Sequence, residues 1–547
     1  MVVVRAIVRV VGFLVSAALY ATPVLWVFWA NVSLILPQHE FVGYRFYGSL
    51  AILWGRPETV YVVQGYPMQV IQHLIVWLLV DVWGHDPVHT STMDLFIRST
   101  LVACYGLGTL LLLWVWASRR YVWSDRLLLS AALVTPWWCW PVQPLWLSPD
   151  YWPWSGVYAV ASAAWSVYLL RGRQGYGWPA VVLCGCWIGL GVSHKLLLGA
   201  VGSLPLVVLA GTIWGSAAAR MDVPRCGRVG LHDGVDRLSL KREAGSRQRP
   251  ALILLLAPIS AGLTMLLVLW AFSLGDLALT WRVLGDLAAI LGRSDNGFTA
   301  SQLGLFSYPF FWATAGGAIV ALTVGQAQRR WLVPAALLMT AGLLLSAVQR
   351  PSMTTYADVG LFLLALVPIG SAGVWCPRRR WLTLLPLLLV PPLVWWAGSW
   401  RILTLPTAQV WSESARVVQG AYDYAHGQDR PVTVWMPTWL PPHYPYSIEQ
   451  IALYHGRLAL GPDGNDGALL TRLFPQTRIE FRPDQTSREA VWQAARRGEV
   501  IVWGETDQQP LLTDQEPAVL RPLRRGERRD FTHHALGTRR IVVAWRD

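Results

Sequence analysis

Long apolar runs recur through the first 400 residues, each near the ~20 residues that a bilayer crossing needs, with short polar stretches between them. They begin near residues 10, 96, 127, 153, 178, 196, 251, 304, 331, 355 and 381. A further stretch, Pro67 to Trp83, is shorter and carries Gln69, Gln72 and His73 in its interior. Those polar residues suit a helix lying on the outer membrane interface better than one in hydrocarbon. Apolar positions at helical spacing between residues 277 and 291 predict a short amphipathic interfacial helix, and Ser294-Asp295-Asn296-Gly297 then signals a turn.

After Trp400 the pattern changes. Short β-rich runs (Val432 to Trp435, Ile479 to Phe481, Val500 to Trp503, Ile541 to Trp545) alternate with helix-like segments at 447–455 and 487–497. The alternation predicts a small α/β domain, 401–547, with a partly parallel sheet, following a helical domain, 1–400. Gly461 to Gly467 reads as a turn, although an Asp-rich loop has the ligand type for a cation. His533-His534 has no matching ligand cluster and reads as surface.

Composition places the helical part in a membrane. The chain is 54% hydrophobic and 14% charged, with a mean hydropathy of +0.39, outside the balance of soluble domains. Its net charge of +13 lies in arginines between apolar runs, not on one basic face, which argues against nucleic-acid binding. The arginines instead set topology, because short cytoplasmic loops collect Lys and Arg. If Pro67 to Trp83 does not cross, then Arg5, Arg9, Arg119, Arg120, Arg126, Arg171, Arg173, the 217–250 loop, Arg329-Arg330 and Arg378 to Arg380 all fall inside. If it crosses, every later cluster moves outside.

The expected fold is therefore a polytopic α-helical membrane protein of about eleven transmembrane helices with outer interfacial helices and a C-terminal extracytoplasmic α/β domain. The N-terminus, with Arg5 and Arg9 before an apolar run and no small-residue cleavage site, is expected to stay as an anchor in the plasma (inner) membrane. The 33 tryptophans fit interfacial belts. Cys184-x-Cys186 lacks zinc-site spacing and reads as small residues in a helix.

That topology brings several groups to the outer side. Glu40 follows the first run, Asp150 precedes the fourth, and His194-Lys195 occupies the connection between the fifth and sixth. Arg293 and Arg350 share that side. Glycosyl transfer from a lipid-phosphate sugar needs such a set: a carboxylate to deprotonate the acceptor hydroxyl, cations to offset charge on the departing phosphate, and rings for sugar or isoprenoid. Tyr44, Tyr66, Tyr151 and Trp152 are the expected ring contacts. Each group also has a plainer role. Asp150 could cap the next helix, Lys195 could snorkel to the surface, Glu40 could be a loop acid, and the tryptophans could form a belt.

An acid in the first outer loop, a surface helix opening at Tyr66-Pro67, an acid in the second outer loop and a lysine at the start of the sixth run resemble the GT-C glycosyltransferases. That class includes protein O-mannosyltransferases, aminoarabinose transferases, arabinosyltransferases and oligosaccharyltransferases. The resemblance covers roughly residues 1–400. It implies that Glu40 is the catalytic base, that Asp150 positions acceptor, base or metal, and that Lys195 lies near the donor phosphate. It further implies a polyprenyl-phosphate-linked sugar donor, an extracytoplasmic glycan, lipid or protein acceptor, and leaves a divalent cation open. The chain departs from the pattern in having His39-Glu40 for Asp-Glu and Gly65-Tyr66-Pro67 for Lys-Pro-Pro. Trp395-Trp396 runs into Ala397, which disfavours transfer to asparagine. The rivals are a lipid or solute transporter, which would carry ionisable groups at mid-membrane, and a non-catalytic scaffold.

Overall fold

A computed structural model describes residues 2–29, 40–55, 65–87, 90–138, 152–172, 178–221, 254–292 and 353–372, isolated positions between 315 and 340, and, further on, 432–435, 479–481, 493, 496–506, 523–533 and 537–546. The runs expected near 304, 331 and 381 lie outside these residues, apart from the isolated positions, as do the 447–455 segment and most of 487–497. The described part is mostly helical.

The helices are α1 (Val2–Trp29), α2 (Glu40–Leu53), α3 (Tyr66–Val76), α4 (Thr90–Ala117), α5 (Trp123–Trp138), α6 (Trp152–Arg171), α7 (Trp178–His194), α8 (Leu196–Met221), α9 (Leu256–Phe272), α10 (Leu277–Gly292) and α11 (Met353–Ala372). Helix α3 continues as a π-helical turn, Trp77–Val82. Two stretches, Ala6–Leu25 and Leu95–Ala117, are long and apolar enough to cross a membrane, and only 28% and 44% of their apolar windows are buried in the protein, so most of that apolar surface faces outward. At 1.5 Å per residue the second extends about 35 Å, against ~30 Å of hydrocarbon.

Side-chain contacts fix how the helices run. Gly12 of α1 abuts the Trp116 ring and Gly108 abuts Tyr20, so α1 and α4 are antiparallel. Trp116 Nε1 donates to Ser130 Oγ at 3.0 Å across the α4–α5 hairpin. Ser155 meets His194 and Ser162 accepts from Trp187 Nε1 at 2.8 Å, which sets α6 antiparallel to α7. Helices α7 and α9 run parallel: Gly185 lies against Ala257 and Ser260, and Gly189 against Ala261 and Thr264. A Cβ at either glycine would strike an α9 carbonyl, so this Gly-x-x-x-Gly face permits backbone approach. Helix α11 is apolar all round and buried from Val359 to Ala372 among α5, α6 and α8.

These directions define two ends. One gathers the α4–α5 turn, the C-terminus of α6 and the start of α7. There Asp125 Oδ2 accepts from the Val122 N–H at 3.1 Å, closing the first turn of α5, and its carboxylate takes a two-pronged ion pair from Arg171 at 2.9 and 3.0 Å. Arg126 donates to Ser118 O at 2.8 Å, satisfying the end of α4, and Arg120 lies 4.1 Å over the Tyr168 ring. The opposite end gathers α2, α3, the starts of α4 and α6, the α7–α8 connection and the end of α9. Exposed tryptophans sort the same way. Trp114, Trp123 and Trp178 mark the arginine end, and Trp54, Trp77, Trp83, Trp270 and Trp281 the other, with exposed Val102, Leu110, Leu183 and Leu263 between.

In the C-terminal part, strands β1 (Val432–Trp435), β2 (Ile479–Phe481), β3 (Val500–Thr506), β4 (Leu523–His533) and β5 (Gly537–Arg546) form one sheet in the order β2-β1-β3-β5-β4. β1 is parallel to β2 and β3, whereas β5 is antiparallel to both β3 and β4. All four runs expected to be extended are strands; the additional strand is the arginine-rich β4, whose sequence LRRGERRDFTH hides its period.

Candidate functional site

The end opposite the arginines holds most of the polar side chains that the described helices bury. Helix α3 turns Tyr66, Gln69, Gln72 and His73 into the protein and leaves Leu74, Trp77, Val82 and Trp83 exposed. This corrects the expectation that its polar residues lie on the surface. Gln69, Gln72 and His73 fall on one helical face at positions i, i+3 and i+4, and His73 on that face meets α2 and the end of α9. Tyr66 and His73, two turns apart, flank the Phe272 ring at the end of α9, with centroids at 4.9 and 5.2 Å.

His73 ties three elements together. Its Nε2 is 2.9 Å from the Phe272 carbonyl and its Nδ1 2.7 Å from Ser49 Oγ in α2. A carbonyl only accepts, so the ring proton sits on Nε2 and Nδ1 is an acceptor. Ser49 Oγ is also 2.6 Å from the Arg45 carbonyl, so its single hydrogen is shared between that oxygen and Nδ1. Burial pushes the imidazole pKa from its ordinary 6.5 down to about 4, against the Phe272 hydrogen bond, which raises it. His73 is therefore neutral near pH 7. One turn before Ser49, Arg45 is only 1% exposed.

The second part of the site is the break between α7 and α8. His194 ends α7 with its Nε2 3.2 Å from Ser155 Oγ and its ring 6.0 Å from that of Trp154. Lys195 alone separates the helices. Its N–H donates to Gly191 O at 2.8 Å and its carbonyl accepts from Leu198 N at 2.9 Å. Lys195 is 8% exposed, too little for a lysine that snorkels to water. At the same end, Trp154 Nε1 and Ser273 Oγ are buried with no hydrogen-bond partner among the described residues, the kind of group a ligand or water satisfies.

After Gly275, at φ +88°, reverses the chain, Asp276 caps α10 through Leu279 N–H at 3.0 Å. Helix α10 covers the stretch expected to be amphipathic, with Leu279 and Val283 buried while Leu277 and Trp281 are exposed.

Of the residues singled out by sequence, Tyr66, His194 and Lys195 lie at this one end of the bundle. Glu40 is the first residue of α2, so it opens a helix instead of sitting in a loop, and Tyr44 lies one turn further along the same helix. Trp152 opens α6 beside the His194 contact. Asp150, Tyr151, Arg293 and Arg350 lie outside the described residues. Sequence reasoning missed Arg45, Ser49 and Ser273 as parts of this end, and it turned His73 outward. The i, i+4 spacing of Arg45 and Ser49 on a short aromatic helix is the signal that could have drawn attention to the first two. Among the described residues no three His, Cys, Asp or Glu side chains gather as metal ligands do. The chain matches no known protein family, no curated protein and no solved structure.

Proposed function

We propose that the chain is an integral-membrane, inverting glycosyltransferase that moves one sugar from a polyprenyl-phosphate donor to an extracytoplasmic glycan, lipid or protein. Glu40 is the base that takes the acceptor proton, Asp150 positions the acceptor or a divalent cation, and Lys195 offsets charge on the departing phosphate, with Arg293 and Arg350 as further phosphate contacts. The observation that carries this is the buried Lys195-His194 break lying at the same end of the bundle as α3 and the start of α6. A buried ammonium there is useful to an anion that arrives from outside, because low local dielectric strengthens their attraction.

The membrane setting is supported by the two levels of exposed tryptophan and by the spacing between them along α4. About eleven crossings put the arginine end in the cytoplasm and residues 401–547 outside as an α/β domain. In this arrangement α3 lies at the outer interface, its apolar face toward lipid and its polar face toward the site. Reporter fusions after residues 90 and 123 should then report outside and inside respectively, and the reverse pattern would make Pro67 to Trp83 a crossing.

The decisive assay follows transfer of radiolabelled sugar from defined polyprenyl-phosphate donors by purified protein. Glu40→Gln should lower transfer by about 10²-fold or more. Undiminished transfer removes Glu40 as base, and no transfer by the unmodified protein from any donor defeats the enzyme class and leaves transport to be measured.

A further inference from the structure

Charge is unevenly placed on the C-terminal sheet. Strands β1, β2 and β3 contain no Lys or Arg and two acids, Glu480 and Glu505. The β4–β5 hairpin carries seven arginines, Arg524, Arg525, Arg528 and Arg529 on β4 and Arg539, Arg540 and Arg546 on β5, against Glu527 and Asp530. All the arginines of the described sheet therefore lie at one border, and β4 is its edge strand.

The register divides them between both faces. Arg525 pairs with Ala544 and Arg528 with Val542, so these two share a face with Arg540 and Arg546. Arg524 pairs with Trp545 and Arg529 with Ile541, which places them on the opposite face with Arg539. A pocket or groove for one anion would collect charge on a single face. Arginines on both faces of one edge suit a flat, extended anionic surface that the sheet meets edge-on. The register shift between Arg525 and Arg528 interrupts the ladder, so the edge is a poor template for another strand.

We infer that the β4–β5 hairpin is an electrostatic docking edge for an anionic bilayer surface. This rests on the proposal that the helical part is embedded in a membrane. A domain carried on the same chain as membrane helices stays at high local concentration beside the headgroups, and each arginine close to anionic lipid favours contact about fivefold. The same arginines would also deter edge-to-edge association, but that role needs no lipid.

The full chain is placed in nanodiscs of phosphatidylcholine alone, of phosphatidylcholine with phosphatidylglycerol, and of phosphatidylcholine with added inorganic phosphate. Hydrogen–deuterium exchange is then followed across 523–546. Exchange in this hairpin should slow about fivefold or more in the anionic discs only. Added salt should restore it in the unmodified protein, and replacing the four β4 arginines with glutamine should abolish the difference between disc types. Equal exchange in both lipid compositions overturns the inference, as does slowing by inorganic phosphate in neutral discs, which would mean a discrete phosphate site. A chain that enters the discs without lipid dependence defeats this inference alone. A chain that does not enter them defeats the membrane reading and this inference together.

Discussion

The two ends of the helical bundle bury polar groups in different ways. At the arginine end each buried charge has its partner in the chain: Asp125 is held by Arg171 and by a backbone N–H, and Arg126 by the final carbonyls of α4. At the other end Lys195 and Arg45 are buried as well, and Trp154 Nε1 and Ser273 Oγ have no hydrogen-bond partner among the described residues. Polar groups buried without a hydrogen-bond partner, as Trp154 Nε1 and Ser273 Oγ are, cost desolvation.

That contrast can be broken most directly at Lys195. Lys195→Met keeps the length of the side chain and removes its charge. Sugar transfer should fall about 10²-fold, and unchanged transfer would return Lys195 to a structural role. Asp125→Asn should do the reverse, lowering stability by about 2–3 kcal/mol through loss of the Arg171 pair while transfer per folded molecule is unchanged. Gly189→Leu forces α7 from α9 midway between the ends and should cost ~1–3 kcal/mol, read as a lower unfolding midpoint. The smallest effect is on pH dependence. Because the folded pKa of His73 is about 4, below its ordinary 6.5, the unfolded chain binds the proton first between those values. Stability is thus present above pH 6.5 and declines toward pH 4. His73→Gln should flatten that decline, and an identical slope in the variant would show that another group sets it.

Much of the bundle was legible because charge and apolar length are written directly in the chain. Helix starts near 153, 178 and 196 follow from apolar runs, and of the arginines assigned to one side Arg119, Arg120, Arg126 and Arg171 lie together at one end. Inward and outward faces of a short helix were not legible. Gln69, Gln72 and His73 make the same polar stripe whether they meet water or protein, and only Ser49, 24 residues earlier, and the carbonyl of Phe272, 199 residues later, decide the matter. The same holds for Arg45, whose sequence neighbours Tyr44 and Phe46 reveal nothing of how completely it is buried. Sheet pairing was partly legible, since β-rich runs separated by long connections favour parallel neighbours, whereas the arginines of β4 mask its strand character.

The single-residue connection at Lys195 also bears on how the protein is made. Helices α7 and α8 fold back on each other across Gly191, Val192, Leu198 and Gly199 with no loop to thread through. On the proposed membrane reading such a pair would enter as one hairpin, carrying the lysine across at its tip, at a cost of up to ~2.5–3.5 kcal/mol for a charge at the hydrocarbon centre. The apolar flanks of both helices offset that cost only when they insert together. On that reading a longer connection would let each helix insert alone, and the one-residue connection would couple their entry.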